Sequence, residues 1–105
     1  MNILAFESSC DETAAAIVRD GRQVLADVVA SQADMHAVYG GVVPEIASRK
    51  HVEAIAGLAD AALQKAGFQR RDIDAVAVTY GPGLIGAMLV GVNFGKSVAY
   101  GLGVP

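Results

Sequence analysis

Met1-Asn2-Ile3-Leu4-Ala5-Phe6-Glu7-Ser8-Ser9-Cys10-Asp11-Glu12-Thr13 decides how this chain is read. An apolar run ends abruptly in hydroxyls, one thiol and three carboxylates. A second small-apolar run, Ala14 to Val18, starts at once. The pattern describes a strand that stops at a polar tight turn and doubles back. Short side chains in such a turn let backbone N–H groups approach an anion. Carboxylates beside it can hold a cation or a water. An ordinary polar hairpin has the same pattern, so the rest of the chain has to decide.

Working outward, Asn2–Ser8 reads as a buried strand and Thr13–Arg19 as a second. Asp20-Gly21 is a hairpin signal, because a type I′ turn needs positive φ at both central positions. Gln23–Ala30 returns as a third strand, with Asp27 marking one wet face. Ser31–Val43 reads as a loop rich in Gly, Ala and polar residues. Pro44 then suits the first turn of a helix, with Glu45 at its positive end. Val52, Ile55, Ala56, Ala59, Ala62, Leu63 and Ala66 fall on one helical face, and Glu53, Gly57, Asp60 and Gln64 on the other. Lys65 and Gly67 close that helix. Asp74–Tyr80 is apolar on both faces, as a central parallel strand should be. Gly81-Pro82-Gly83 ends it, and a last helix runs from about Leu84 to Leu102.

Composition narrows the class. A chain of 105 residues holds one domain at most. Hydrophobic residues make up 53% of it, and the mean hydropathy is +0.42. A net charge of -3 argues against a free-standing nucleic-acid binder, which usually shows a basic stripe. The pairs Arg49-Lys50 and Arg70-Arg71 read as solvated faces. One cysteine allows no intrachain disulfide and fits a reducing, cytoplasmic setting. Leu84–Val92 is the most apolar run. Asn93 and Lys96 interrupt it short of the roughly 20 residues that span a bilayer, so a buried helix is expected and no membrane span.

The last helix carries Ala87, Gly91, Gly95, Ala99 and Gly103 at every fourth position. Each Gly weakens a helix by about 1 kcal/mol relative to Ala, so the row needs a reason. Either it packs closely on the domain's own sheet or it forms an interface with a partner. Gly81 and Gly83 precede this helix and place N–H groups and a positive dipole end at the carboxyl edge of the sheet. Nucleotide contact and tight strand-to-helix packing both fit them. Gly91-Val92-Asn93-Phe94-Gly95-Lys96-Ser97 ends like a phosphate-binding P-loop, but the required first glycine falls at Val90 and the stretch lies inside a helix.

The order β-β-β-α-β-α is half of the ribonuclease-H-like lobe of the actin, sugar-kinase and Hsp70 (ASKHA) superfamily. The expected fold is therefore α/β: a mixed sheet of three antiparallel strands plus a parallel strand, with two helices. Val104-Pro105 falls where a fifth strand should begin. Residues 1–105 are expected to be an incomplete N-terminal lobe, truncated before that strand, with the second lobe absent.

Several strings carry a closer resemblance. They are Glu7-Ser8-Ser9-Cys10-Asp11-Glu12-Thr13, Ser31-Gln32, His36 through His51 with its Tyr39-Gly40-Gly41-Val42-Val43-Pro44-Glu45 core, and Ala77 through Gly86. Together they resemble the TsaD family of tRNA N6-adenosine threonylcarbamoyltransferases, long labelled O-sialoglycoprotein endopeptidase or glycoprotease. The resemblance covers essentially the whole chain. It implies transfer of a threonylcarbamoyl group from threonylcarbamoyl-AMP to N6 of the adenosine beside the anticodon. It implies an ATP-type nucleotide in the cleft between two lobes, and one divalent metal, iron or zinc, held by a His-Met-Glu-Gly-His-type pair and a distant Asp. It implies as partners a TsaB-like paralogue, a small ATPase and tRNA.

The metal ligands of that family have no counterpart here and are expected beyond Pro105. His36 and His51 do not replace them, since zinc-type histidines usually sit about three to five residues apart. His51 reads as a surface or partner-facing residue. His36 and Tyr39 suit stacking on RNA or nucleotide, or packing against a second lobe. By analogy of position, the resemblance implies that Ser9, Cys10, Asp11 and Glu12 face the nucleotide phosphates or the transferred group; the other reading is that they only shape the turn. Asp11 or Glu12 is the candidate to accept a proton from the attacking amine or to order a water on the metal. Cys10 has no base beside it and is not read as a nucleophile. Two further expectations follow: the chain alone is inactive, and it self-associates through the Asp74–Tyr80 edge or the two helices. A proteolytic reading finds neither a nucleophile–base pair nor a His-Glu-x-x-His site.

Overall fold

The computed structural model describes residues 1–105. Strands β1 (Asn2–Glu7), β2 (Glu12–Arg19) and β3 (Gln23–Ser31) form an antiparallel meander, and β4 (Ala75–Val78) joins β1 in parallel. The sheet order is β3-β2-β1-β4. Helix α1 (Ala33–Ala37) follows β3, α2 (Pro44–Ala66) links it to β4 by way of a 3-10 turn at Arg70–Asp72, and α3 (Ile85–Leu102) follows β4. The mixed α/β sheet is thus as expected. Asp20 and Gly21 have φ of 55° and 69°, the double positive φ of the anticipated hairpin.

Strand alternation sorts the side chains. Leu4 and Phe6 on β1, Ala15 and Ile17 on β2 and Ala26 on β3 point to one face, where they meet Ile55, Ala59 and Ala62 of α2. The same face receives α3 through Val90, Phe94 and Val98, and the Phe94 ring stands edge-on to Phe6 at 5.1 Å. Both long helices cover this side. On the other side Ala5, Ala14, Ala16 and Ala77 line an open groove.

Both helices end in left-handed glycines. Gly67 and Gly103 have φ of 70° and 71°. The N–H after each returns to a carbonyl of the last turn, Phe68 to Leu63 at 2.9 Å and Val104 to Ala99 at 3.0 Å. Beyond Gly103, the Pro105 carbonyl accepts the Val76 N–H at 2.8 Å, on the side of β4 away from β1.

Four expectations are corrected. Ser31–Val43 is not all loop, because Ala33–Ala37 forms a short helix. Asp74–Tyr80 shrinks to the four residues Ala75–Val78. The inward face of α2 is Ala47, His51, Ile55, Ala59 and Ala62, while Val52 is 63% exposed and Ala56 is exposed too. The fourth concerns α3, expected as a buried helix: only its Ala87, Gly91, Val92 and Gly95 are buried, and its 18 residues are long and apolar enough to cross a membrane by length and composition alone. One side of that helix lies on the sheet.

That side is the small-residue row. Ala87, Gly91 and Gly95 are buried. A Cβ on Gly95 would lie 2.3 Å from Val78 Cγ1, and one on Gly91 would lie 2.7 Å from Ser8 Oγ. The row therefore lets α3 sit close on β1 and β4. A partner cannot reach Ala87, Gly91 or Gly95 without lifting the helix, so the interface assignment of this row, with half-buried Ala99, gives way to internal packing.

Candidate nucleotide-facing loop

Glu7, Ser9, Cys10, Asp11 and Glu12 line a shallow depression of about 150 Å³ where β1 turns into β2. Four of the expected site residues are thus brought together. Gly83 adjoins them: its hydrogen faces Ser9, and a Cβ there would stand 2.7 Å from both Ser9 Cβ and the Ser9 carbonyl oxygen. Gly81 has open space around it.

What shapes the loop is a set of backbone ties. The Ser9 carbonyl accepts the Leu84 N–H at 2.8 Å, at the start of α3. The Cys10 carbonyl lies 2.8 Å from His51 Nε2, on α2. The Asp11 carbonyl accepts the Gln32 N–H at 2.8 Å, just past β3. Three successive carbonyls are thus drawn inward by three different elements. A trans peptide points its N–H opposite to its carbonyl. The N–H groups of Cys10 and Asp11 therefore point out of the fold, and neither meets an acceptor in the protein.

His51 is wholly buried, with 0% exposure, against the expectation of a surface residue. Its position four residues before Ile55 places it on the inward stripe of α2. Because a carbonyl only accepts, Nε2 carries the proton. In the neutral ring Nδ1 then accepts from the Thr13 hydroxyl, 2.7 Å away. Thr13 is itself buried, so strand alternation turns Glu12 outward.

His36 is also buried, not stacked at the surface. The Val43 N–H donates to its Nδ1 at 3.2 Å, so Nε2–H donates to Gln32 Oε1 at 2.8 Å. Gln32 Nε2 in turn reaches the Ala47 carbonyl at 3.3 Å. The segment after β3 thereby connects Asp11 to α2, while Tyr39 beyond it is exposed. Both ring nitrogens of both histidines are engaged with the protein, so these residues do not fit the metal of the resemblance.

Ser8 was missed as a site residue. It is 2% exposed and continues the inward series Leu4, Phe6. Its hydroxyl donates to the Ala87 carbonyl at 2.7 Å and accepts the Gly91 N–H at 3.0 Å. A regular helix pairs those two backbone groups with each other. Ser8 therefore joins the end of β1 to the first turns of α3. Glu7 points to the open face, where its carboxylate accepts the Ser9 N–H and, at 3.1 Å, the Thr79 hydroxyl. Burial pushes the Glu7 carboxyl up, but the Ser9 side chain and N–H and the Thr79 hydroxyl outweigh it. The balance lies below the ordinary 4.5.

A β-meander extended by a parallel strand, with its first turn beside the start of a helix at the carboxyl edge, is the α/β arrangement of an actin-like fold. YeaZ from Pseudomonas aeruginosa superposes with a TM-score of 0.70 over 99% of this chain and 41% of that one, at 21% identity. An uncharacterized protein with similarity to peptidase YeaZ, also from P. aeruginosa, gives 0.71 over 100% of this chain and 41% of that one, at 21% identity.

The chain belongs to the TsaD family, tRNA N6-adenosine threonylcarbamoyltransferase, whose family model matches residues 23–105. It is 63% identical to the tRNA N6-adenosine threonylcarbamoyltransferase of Geotalea uraniireducens over its whole length. It is 64% identical to that of Moorella thermoacetica over 99% of its length. It spans 31% and 30% of those two relatives.

Proposed function

We propose that this chain supplies the nucleotide-facing part of a transferase that moves a threonylcarbamoyl group from threonylcarbamoyl-AMP to N6 of the adenosine beside the anticodon of tRNA. Family membership supports the reaction class. The observation that carries the local assignment is the outward aim of the Cys10 and Asp11 N–H groups beside the Asp11 and Glu12 carboxylates. Free N–H groups suit phosphate oxygens. A carboxylate at the rim suits the role of accepting the proton that an attacking amine gives up. The chain alone is expected to be inactive, in a cytoplasmic setting, with the metal and tRNA handled by regions outside it.

The test is a chimaera in which these 105 residues replace the matching part of the G. uraniireducens relative, in a reconstituted tRNA modification assay. The chimaera should modify tRNA, the isolated chain should not, and Asp11→Asn or Glu12→Gln in the chimaera should cost about 10²-fold or more in rate. Full activity in both substituted chimaeras would remove the loop from the chemistry. Product from the isolated chain would refute its inactivity.

A second reading, a surface for a TsaB-like partner, is favoured by Ile85, Leu89 and Tyr100. These are exposed large apolar residues along the outer side of α3. Tyr100→Asp should abolish co-purification with such a partner while leaving the fold intact, and unchanged co-purification would dismiss that surface.

A further inference from the structure

Of the three ties on the Ser9–Asp11 carbonyls, two come from backbone N–H groups and only one from a side chain, His51. Every other inward position on α2 is Ala or Ile. A leucine would fill such a slot without desolvating two polar nitrogens, a cost that is offset only when both find partners. Here the partners flank the bend between β1 and β2: the Cys10 carbonyl before Asp11 and, at the start of β2, the Thr13 hydroxyl after Glu12. The ring therefore spans the two residues proposed for chemistry, with hydrogen bonds on either side of them.

We propose that His51 is the positioning residue of this loop. Its Nε2–H holds the Cys10 carbonyl inward and so aims the Asp11 N–H outward. Its Nδ1 holds Thr13 inward and so turns Glu12 outward. The inference rests on the reading that the loop faces nucleotide phosphates.

Two near-isosteres separate the two ties. In His51→Gln the amide nitrogen reaches the place of Nε2 and keeps a donor for Cys10. In His51→Asn the amide occupies the place of Nδ1 and leaves the Cys10 carbonyl unpaired. ATP affinity of the full 105-residue chain, the Asp11 amide signal by NMR and the melting temperature are measured for both. Both variants should melt lower than wild type. His51→Asn should shift the Asp11 amide and weaken ATP binding about ten-fold, the loss of roughly one hydrogen bond's worth of alignment. His51→Gln should leave the amide in place and ATP binding close to wild type.

Affinity losses that are equal in the two variants, or an Asp11 amide unmoved in His51→Asn, would overturn the proposal. If wild-type chain binds no ATP, the phosphate reading fails and the Asp11 amide alone judges His51. If His51→Asn does not fold, the ring nitrogens of wild-type His51 decide by 15N NMR. A proton on Nε2 with a coupling to the Cys10 carbonyl carbon is expected, and the Nδ1–H tautomer excludes the tie.

Discussion

Ser8 Oγ lies 3.0 Å from the Gly91 N–H, joining two residues 83 positions apart. The contact exists because Gly91 has no side chain, since a Cβ there would stand 2.7 Å from that hydroxyl. Ser8 and Gly91 are one packing unit, and the first prediction treats them so. Gly91→Ala should cost about 1–3 kcal/mol, as overpacking does. Ser8→Ala should cost about 1 kcal/mol, because Ala87 and Gly91 can then bond each other. The double variant should be more stable than the sum of the two costs requires, measured by urea denaturation in a double-mutant cycle. Strict additivity would show that the two do not share space.

Gly95 makes the second case. Its missing side chain admits Val78 Cγ1, which would lie 2.3 Å from an added Cβ. Gly95→Ala should lower the melting temperature at a cost of about 1–3 kcal/mol. Val78→Ala in the same chain should restore part of the loss. No recovery would mean that α3 shifts as a whole.

The third prediction concerns Glu7, whose carboxyl is held below 4.5 in the folded chain. A depressed carboxyl stabilises the fold above its unfolded value, and that contribution disappears as pH falls through the folded value. A carboxyl 13C titration should place the Glu7 midpoint below 4.5. Thr79→Val, which removes one donor, should raise it. An unmoved midpoint would show that the Ser9 groups act alone.

Association is the fourth. The open sheet side is lined by Ala5, Ala14, Ala16 and Ala77, and the outer side of α3 exposes Ile85 and Tyr100. β4 has a sheet neighbour on one side only. Uncovered apolar surface, and an edge met only by the Pro105 carbonyl at Val76, invite pairing. Sedimentation of this chain at micromolar concentration should show concentration-dependent association. A strict monomer at all concentrations would contradict it.

The meander, the Asp20-Gly21 turn, α2, α3 and the parallel setting of β4 were legible because each has a clear period or punctuation. Helix α1 was not, since five residues are too few for a helical period to show. Val52 was placed inward and His51 outward because hydrophobic periodicity counts a valine and discounts a histidine. The four-residue spacing from His51 to Ile55 and Ala59 was the available signal. Ser8 was passed over for the same reason, although alternation from Leu4 and Phe6 pointed it into the core. The loop residues 9–12 were found together, but the agents that hold them were not. They come from residues 32, 51 and 84, and no local pattern links positions so far apart.

That dispersion has a consequence for assembly. The bend at residues 9–11 borrows its shape from a strand end, a helix and a second helix start, each brought in by long loop closures that form late and slowly. The turn at residues 9–11 therefore reaches its working geometry only once residues 32, 51 and 84 have docked on it. A half-made or partly unravelled molecule would keep its first hairpin yet offer no shaped surface to a ligand, so competence at this turn reports that every layer has docked.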